Sequence, residues 1–221
     1  MARLDAVRLF LLAVLVFSLP NPAWTADAKG TAQALYRDGT ALLQSGHLDQ
    51  SIQKFQEALN TDPNFAAVHD SLGVALLRKG DIEGAVRSHR KAVHFNSKDP
   101  SFHNNLAVAL QEKDDLDGAL GALKTSIRLD PKNPLSHNVY GFVLGKKGDW
   151  QGAIREYRQA LTLNPDYFRA HNNLGVALEK TGKLEEAERE YREALRLDPT
   201  FPRAREHLKR LEDAKKQKTA K

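Results

Sequence analysis

The sequence predicts an all-α protein built as a solenoid of stacked helix hairpins, and three observations carry that prediction. The 221-residue chain repeats itself every 34 residues, five times in succession and without insertion or deletion, across residues 32–201. Small side chains return in fixed columns of that repeat, as they must where two helix backbones approach closely. Glycine, aspartate and proline return where helices have to end and begin again.

Counting each repeat from its own position 1, the repeats occupy residues 32–65, 66–99, 100–133, 134–167 and 168–201. Position 8 holds Gly39, Gly73, Ala107, Gly141 and Gly175. Position 20 holds Ser51, Ala85, Ala119, Ala153 and Ala187, and position 27 holds Ala58, Ala92, Ser126, Ala160 and Ala194. Leucine fills position 11 throughout, and larger apolar groups fill position 17 (Leu48, Ile82, Leu116, Trp150, Leu184) and position 28. These columns fall at helical spacing on two separate amphipathic segments in every repeat.

The turns have a mechanism of their own. Gly46, Gly80, Gly148 and Gly182 at position 15 suit a left-handed helix end, whereas Asp114 must adopt the same turn at a steric cost. Asp81, Asp115 and Asp149 follow as N-caps of the second helix. Proline at position 32 (Pro63, Pro131, Pro165, Pro199) closes that helix, with Ser97 as the exception. Pro100, Pro134 and Pro202 sit at helix starts, where a missing N–H costs nothing.

This pattern resembles the tetratricopeptide repeat (TPR) family over residues 32–201. The resemblance implies antiparallel helix pairs stacked into a right-handed superhelix with a concave groove. Stacking is required independently, because one such hairpin cannot bury both of its apolar faces alone. The first repeat fits least well, with Asp38 at position 7 and Thr61 at position 30, as expected of an end repeat.

The two ends lie outside the repeat. In residues 1–28, Arg3 and Arg8 precede an apolar run over residues 9–17, then Pro20 and Pro22, then the small residues Ala26 and Ala28. The run is far shorter than the ~20 residues of a membrane span. Its pattern predicts a cleaved secretory signal and a periplasmic or secreted protein, with an uncleaved inner-membrane anchor as the alternative. A membrane enters only if the leader is retained. At the other end, Ala204, Leu208 and Leu211 predict a capping helix over residues 202–214, followed by a disordered basic tail over 215–221. The chain has no cysteine, which excludes disulfides and thiol chemistry.

The formal net charge of +5 is confined to one end. Residues 202–221 hold eight Lys/Arg and three Asp/Glu, the leader is balanced, and 23 basic and 23 acidic residues remain over 29–201. A nucleic-acid partner is not expected, since the repeats carry no basic stripe. His69, His103, His137 and His171 share position 4, but equivalent residues of stacked repeats stand ~8–10 Å apart. Metal ligands must converge on one ion, so the column reads as structural, and no metal or cofactor is predicted. Asp114, Asp115 and Asp117 lack the spacing of a calcium loop, and no nucleophile elbow or zinc-protease motif occurs. The chain reads as a non-enzyme.

What remains is the groove. The family lines it mainly with positions 2, 5, 6, 9, 12 and 13 of each first helix. Position 5 carries Asn104, Asn138 and Asn172, and position 6 adds Asn105 and Asn173. Asparagine offers donors and an acceptor to a peptide backbone whatever its sequence. Phe142 gives apolar contact, and Arg78, Lys146, Arg169 and Lys180 flank the strip. No repeat has lysine at position 5, unlike the cochaperones that grip chaperone C-termini. The expected function is a protein-interaction scaffold holding a protein or peptide partner in the groove. Self-assembly or a membrane-tethered assembly role is the alternative.

Overall fold

The computed structural model describes residues 26–219, so most of the leader (residues 1–25) and the last two residues lie outside the described residues. Eleven helices and no strand occur among the described residues. They are α1 (Ala26–Gln44), α2 (Leu48–Thr61), α3 (Ala66–Lys79), α4 (Ile82–Phe95), α5 (Pro100–Glu112) and α6 (Leu116–Leu129). After these come α7 (Pro134–Lys146), α8 (Trp150–Leu163), α9 (Phe168–Lys180), α10 (Leu184–Leu197) and α11 (Pro202–Thr219). Two compact units contain them, Met1–Asn64 and Phe65–Lys221.

The first unit is the hairpin of α1 and α2. Gly39 faces the Phe55 ring so closely that a Cβ there would stand 2.6 Å from a ring carbon. Ala32, Phe55 and Ala58 are fully buried, while Asp38 at position 7 is exposed.

In the second unit, hairpins α3/α4, α5/α6, α7/α8 and α9/α10 follow one another and α11 closes the series. Each second helix packs on its own first helix and on the first helix that follows. The first helices also meet one another, α3 with α5, α5 with α7, α7 with α9 and α9 with α11, whereas the second helices do not. One layer is therefore closer-spaced than the other, and the stack bends with the first helices inside. This is an all-α solenoid.

The columns explain the packing. Positions 20 and 27 are completely buried in every repeat. Position 8 abuts position 24, where Phe55, His89, Tyr157 and Tyr191 put a ring against a glycine. The third repeat has Ala107 instead of glycine, and there position 24 is Leu123, both buried in one apolar cluster with Val86, Leu110 and Val143. A branched aliphatic chain leaves room for the methyl group that a ring does not. Burying side chains of this size contributes about 1.5–3 kcal/mol each. A second cluster joins Ile154, Leu174, Leu178 and Tyr191 to Leu211 of α11.

The turns follow the sequence expectation in detail. Gly80, Gly148 and Gly182 have φ of 90°, 85° and 79°, and Asp114 takes the same region at 66°. Asp81, Asp115 and Asp149 each accept a hydrogen bond from the backbone N–H three residues on, at 2.8, 2.9 and 2.8 Å. A further column recurs at position 31, which is Asp62, Asn96, Asp130, Asn164 or Asp198. Each accepts from the N–H two residues later, at 3.0–3.3 Å. This side-chain turn closes every second helix and explains why Ser97 can replace proline.

The position-4 histidines staple the same loops. His103, His137 and His171 each place Nε2 2.9–3.2 Å from the carbonyl oxygen six residues earlier. Nδ1 of His137 and His171 meets Glu156 and Glu190 at 2.8 and 2.6 Å. His89 is equally structural: buried, it bonds Asp70 at 2.7 Å.

Two boundaries differ from expectation. The capping helix does not stop at residue 214, nor is the basic segment after it disordered as far as it is described, because α11 runs on to Thr219. Lys215 donates to Glu188 at 2.5 Å and lies 3.8 Å from Glu185, and no glycine or proline interrupts residues 203–221. Residues 26–28, which the sequence pattern assigns to the end of the leader, form the first turn of α1.

Candidate functional site

The inner face of the second unit holds two adjoining clefts, of about 330 and 520 Å³, between α7, α9 and α11 and between α5, α7, α9 and α11. They share Phe142, Asn172, Asn173 and Arg203 and so form one recess. Phe142 sits on α7 at position 9 and is 38% exposed although the surrounding helices are well packed. Trp150 and Tyr157 of α8 and Val176 of α9 add to the apolar lining of the smaller cleft. Burial raises the Tyr157 hydroxyl well above the usual tyrosine range, so it stays neutral.

Positive charge edges the recess. Lys146 lies 5.9 Å from the centroid of the Phe142 ring, and Arg169 lies 5.3 Å from that of Phe168. Arg203 and His207 reach in from α11. Glu112 is the only carboxylate lining either cleft among the described residues.

The structure sorts the expected groove residues into three groups. It brings Asn138, Asn172, Asn173, Phe142, Lys146 and Arg169 to the recess. Arg78 lines a further cleft with Leu77 and Ile82, which adjoins the larger one through Val108 and Glu112. Asn104, Asn105 and Lys180 line neither cleft of the recess, and Lys180 is simply exposed at the end of α9.

The asparagines also need a correction. Expected as open rungs, Asn104, Asn138 and Asn172 are 3%, 8% and 4% exposed. The reason is that position 6 of one repeat reaches back to position 5 of the repeat before. Asn105 Nδ2 donates to Asp70 Oδ2 at 2.9 Å, and Asn173 Nδ2 donates to Asn138 Oδ1 at 3.0 Å. These amides join neighbouring first helices. Where position 6 is Val139, no donor reaches back, and Asn104 Oδ1 is buried without a partner.

The same register continues into α11, the expected capping helix. Pro202 falls at position 1, Ala204 at the buried position 3, Leu208 at position 7 and His207 at position 6. His207 therefore stands in the slot from which Asn105 and Asn173 donate. Yet Asn172 Oδ1 and His207 Nδ1 are both buried without a hydrogen-bond partner, and both residues line the smaller cleft. Burial holds the His207 pKa below the ordinary histidine value, with Arg210 adding to the effect. The 34-residue count carried past residue 201 would have flagged Arg203 and His207; Trp150 and Tyr157 read as core columns and gave no such signal.

Helix pairs repeated at this period, packed through small-residue columns and hollowed on the first-helix side, define a TPR-type repeat protein. A tetratricopeptide repeat model matches residues 72–134 and 143–202, a second TPR repeat model matches residues 39–80, and the chain belongs to that family. TTC0263, a thermophilic TPR protein of Thermus thermophilus, is 25% identical, with 81% of this chain and 98% of that one covered at a TM-score of 0.69. MamA is 24% identical over 76% of this chain and 92% of its own, at 0.65. YrrB, a TPR protein with an unusual peptide-binding site, is 18% identical over 85% and 98%, at 0.63. At their identities MamA and YrrB show the fold alone. A comparison with curated proteins found no match.

Proposed function

We propose that this chain is a non-enzymatic interaction scaffold that holds an extended segment of a partner protein in the recess of its inner face. The observation that carries this reading is the recess itself: a concave site with an exposed aromatic ring, apolar walls and a few convergent polar groups. The existence of a peptide-binding site on a protein of the same fold, YrrB, is consistent with it. Phe142 is no more exposed than Phe95 (38% each), but Phe142 is the one that lines the concave recess, which suits an anchor point.

A photo-cross-linking residue tests the reading. Placed at Phe142, it should capture a partner from cell extracts; placed at Lys124, exposed on α6, it should not. Capture from Lys124 and not from Phe142 would move the binding surface elsewhere, and capture of a second copy of this chain would favour self-assembly.

The leader pattern supports an envelope or secreted location as part of the same proposal. Arg3, Arg8 and the apolar run over residues 9–17 are the motivating features. N-terminal sequencing of the exported protein decides between a processed and a retained leader; a terminus still at residue 1 or 2 favours the anchored form.

A further inference from the structure

Resting on that reading, we propose that the smaller cleft, where α7, α9 and α11 meet, selects an acidic partner segment that carries an aromatic side chain.

The charge pattern is the first ground. Elsewhere in the second unit several cations are matched: Lys113 with Glu83 at 2.9 Å, Arg158 with Glu186 at 3.1 Å, Arg192 with Glu188 at 2.7 Å and Arg210 with Glu179 at 2.9 Å. The cations at the recess are not. Lys146, Arg169 and Arg203 have no carboxylate partner among the described residues, and the nearest polar contact of Lys146 is the Gln111 carbonyl oxygen at 3.5 Å. Glu112 is engaged by the Gln111 side-chain amide at 2.9 Å. Three unmatched cations around one concavity attract an anionic segment and repel a cationic one.

The lining is the second ground. Trp150, Tyr157, Phe142 and Val176 present aromatic and apolar surface to the same cleft, which suits one ring of a ligand. The third is the pair of orphaned polar atoms. Asn172 Oδ1 and His207 Nδ1 belong to residues that line the cleft but lie beneath its surface, so a peptide N–H or carbonyl pairs with them once the lining side chains shift. Buried polar atoms without partners are rare in native proteins and point to a missing one. An extended nucleic acid is the lesser fit, since the cations cluster at one end and residues 29–201 hold as many acids as bases.

Titrating the full chain, with Trp24→Phe so that Trp150 is its one tryptophan, with four probes tests the proposal, read by calorimetry and by Trp150 emission. The probes are the capped peptides EDFDE, EDADE and KKFKK, and an oligothymidylate. EDFDE should bind, more weakly as salt is raised, and EDADE should bind roughly tenfold more weakly. KKFKK and the oligothymidylate should not compete. The double variant Lys146→Glu/Arg203→Glu should weaken EDFDE by at least about tenfold. Both residues are exposed, so its melting temperature should be unchanged; should it nevertheless fail to fold, Lys146→Gln/Arg203→Gln takes its place with a smaller loss in the same direction. Failure of EDFDE to bind, equal binding of KKFKK or of the oligothymidylate, or indifference to the charge variants would overturn the proposal. If cross-linking from Phe142 persists under any of those results, the chemistry assigned to the segment is wrong and the scaffold reading stands; if it too is absent, both fall.

Discussion

The helix interfaces of the second unit and its inner recess are built from the same helices, yet only the interfaces repeat. Positions 20 and 27 are small and fully buried in every hairpin. The recess, by contrast, uses Phe142 from one repeat, Trp150 and Tyr157 from its second helix, Asn172 from the next and Arg203 from α11. A column must satisfy the same geometric demand each time a hairpin stacks, so its residues converge. A ligand contacts each repeat at a different point of its own length, so its contacts need not. Departures from the period therefore carry the information about binding, except where a second change in the same repeat compensates, as Leu123 does for Ala107.

The sharpest way to break the contrast is to damage a column. Gly175→Ala places a Cβ 2.6–2.7 Å from carbons of the fully buried Tyr191 ring, and overpacking of this kind costs about 1–3 kcal/mol. Adding Tyr191→Leu copies the Ala107/Leu123 solution. A double-mutant cycle by urea unfolding should show the pair less destabilised than the sum of its single changes. Strict additivity would refute the account of the position 8 and 24 pairing.

Asn173 belongs to both regions, which makes it the next test. Asn173→Ala removes the donor to Asn138 and should cost about 1–2 kcal/mol of stability as well as weakening capture at the recess. Phe142→Ala should weaken capture alone. Equal stability losses in the two variants would show that the recess and the interfaces are not separable.

Smaller and opposite in sign, Asp114→Gly relieves a left-handed backbone and should stabilise by about 0.5–1 kcal/mol without altering binding. A melting temperature that falls would argue that the Asp114 side chain holds the turn.

The smallest effect is one of pH. Burial acts to lower the His171 pKa, but the Glu190 carboxylate and the Pro165 carbonyl outweigh it, and the net shift is upward. The stabilisation is therefore complete below the unfolded value near 6.5 and is lost as pH rises through the folded value. His207 shifts the other way, so its contribution is present above that value and fades in acid. His171→Gln should flatten the alkaline side of a stability profile and His207→Gln the acid side; identical effects of the two would contradict these environments.

Much of this was legible in order along the chain. The period, the small columns and the Asp–Gly turns are local or nearest-neighbour demands, and each leaves a mark at a constant spacing. The position-31 turn leaves such a mark as well. The exposure of the asparagines was not legible, because whether position 5 faces solvent depends on what position 6 of the next repeat places over it. Nor was the length of α11, whose last turns rest on Lys215 meeting Glu188 on α10.

Periodicity alone settled that the chain forms hairpins, where each begins and ends, and that the hairpins must stack, since these follow from backbone geometry and burial at fixed separations. Only the assembled stack decided which residues meet across repeats: that Trp150 and Tyr157 of the core columns also wall the recess, and that Asn138 Oδ1 accepts from Asn173 while Asn172 Oδ1 finds no partner. Such meetings depend on distances through space between segments a full repeat apart, and no spacing along the chain encodes which polar atom will find a partner there.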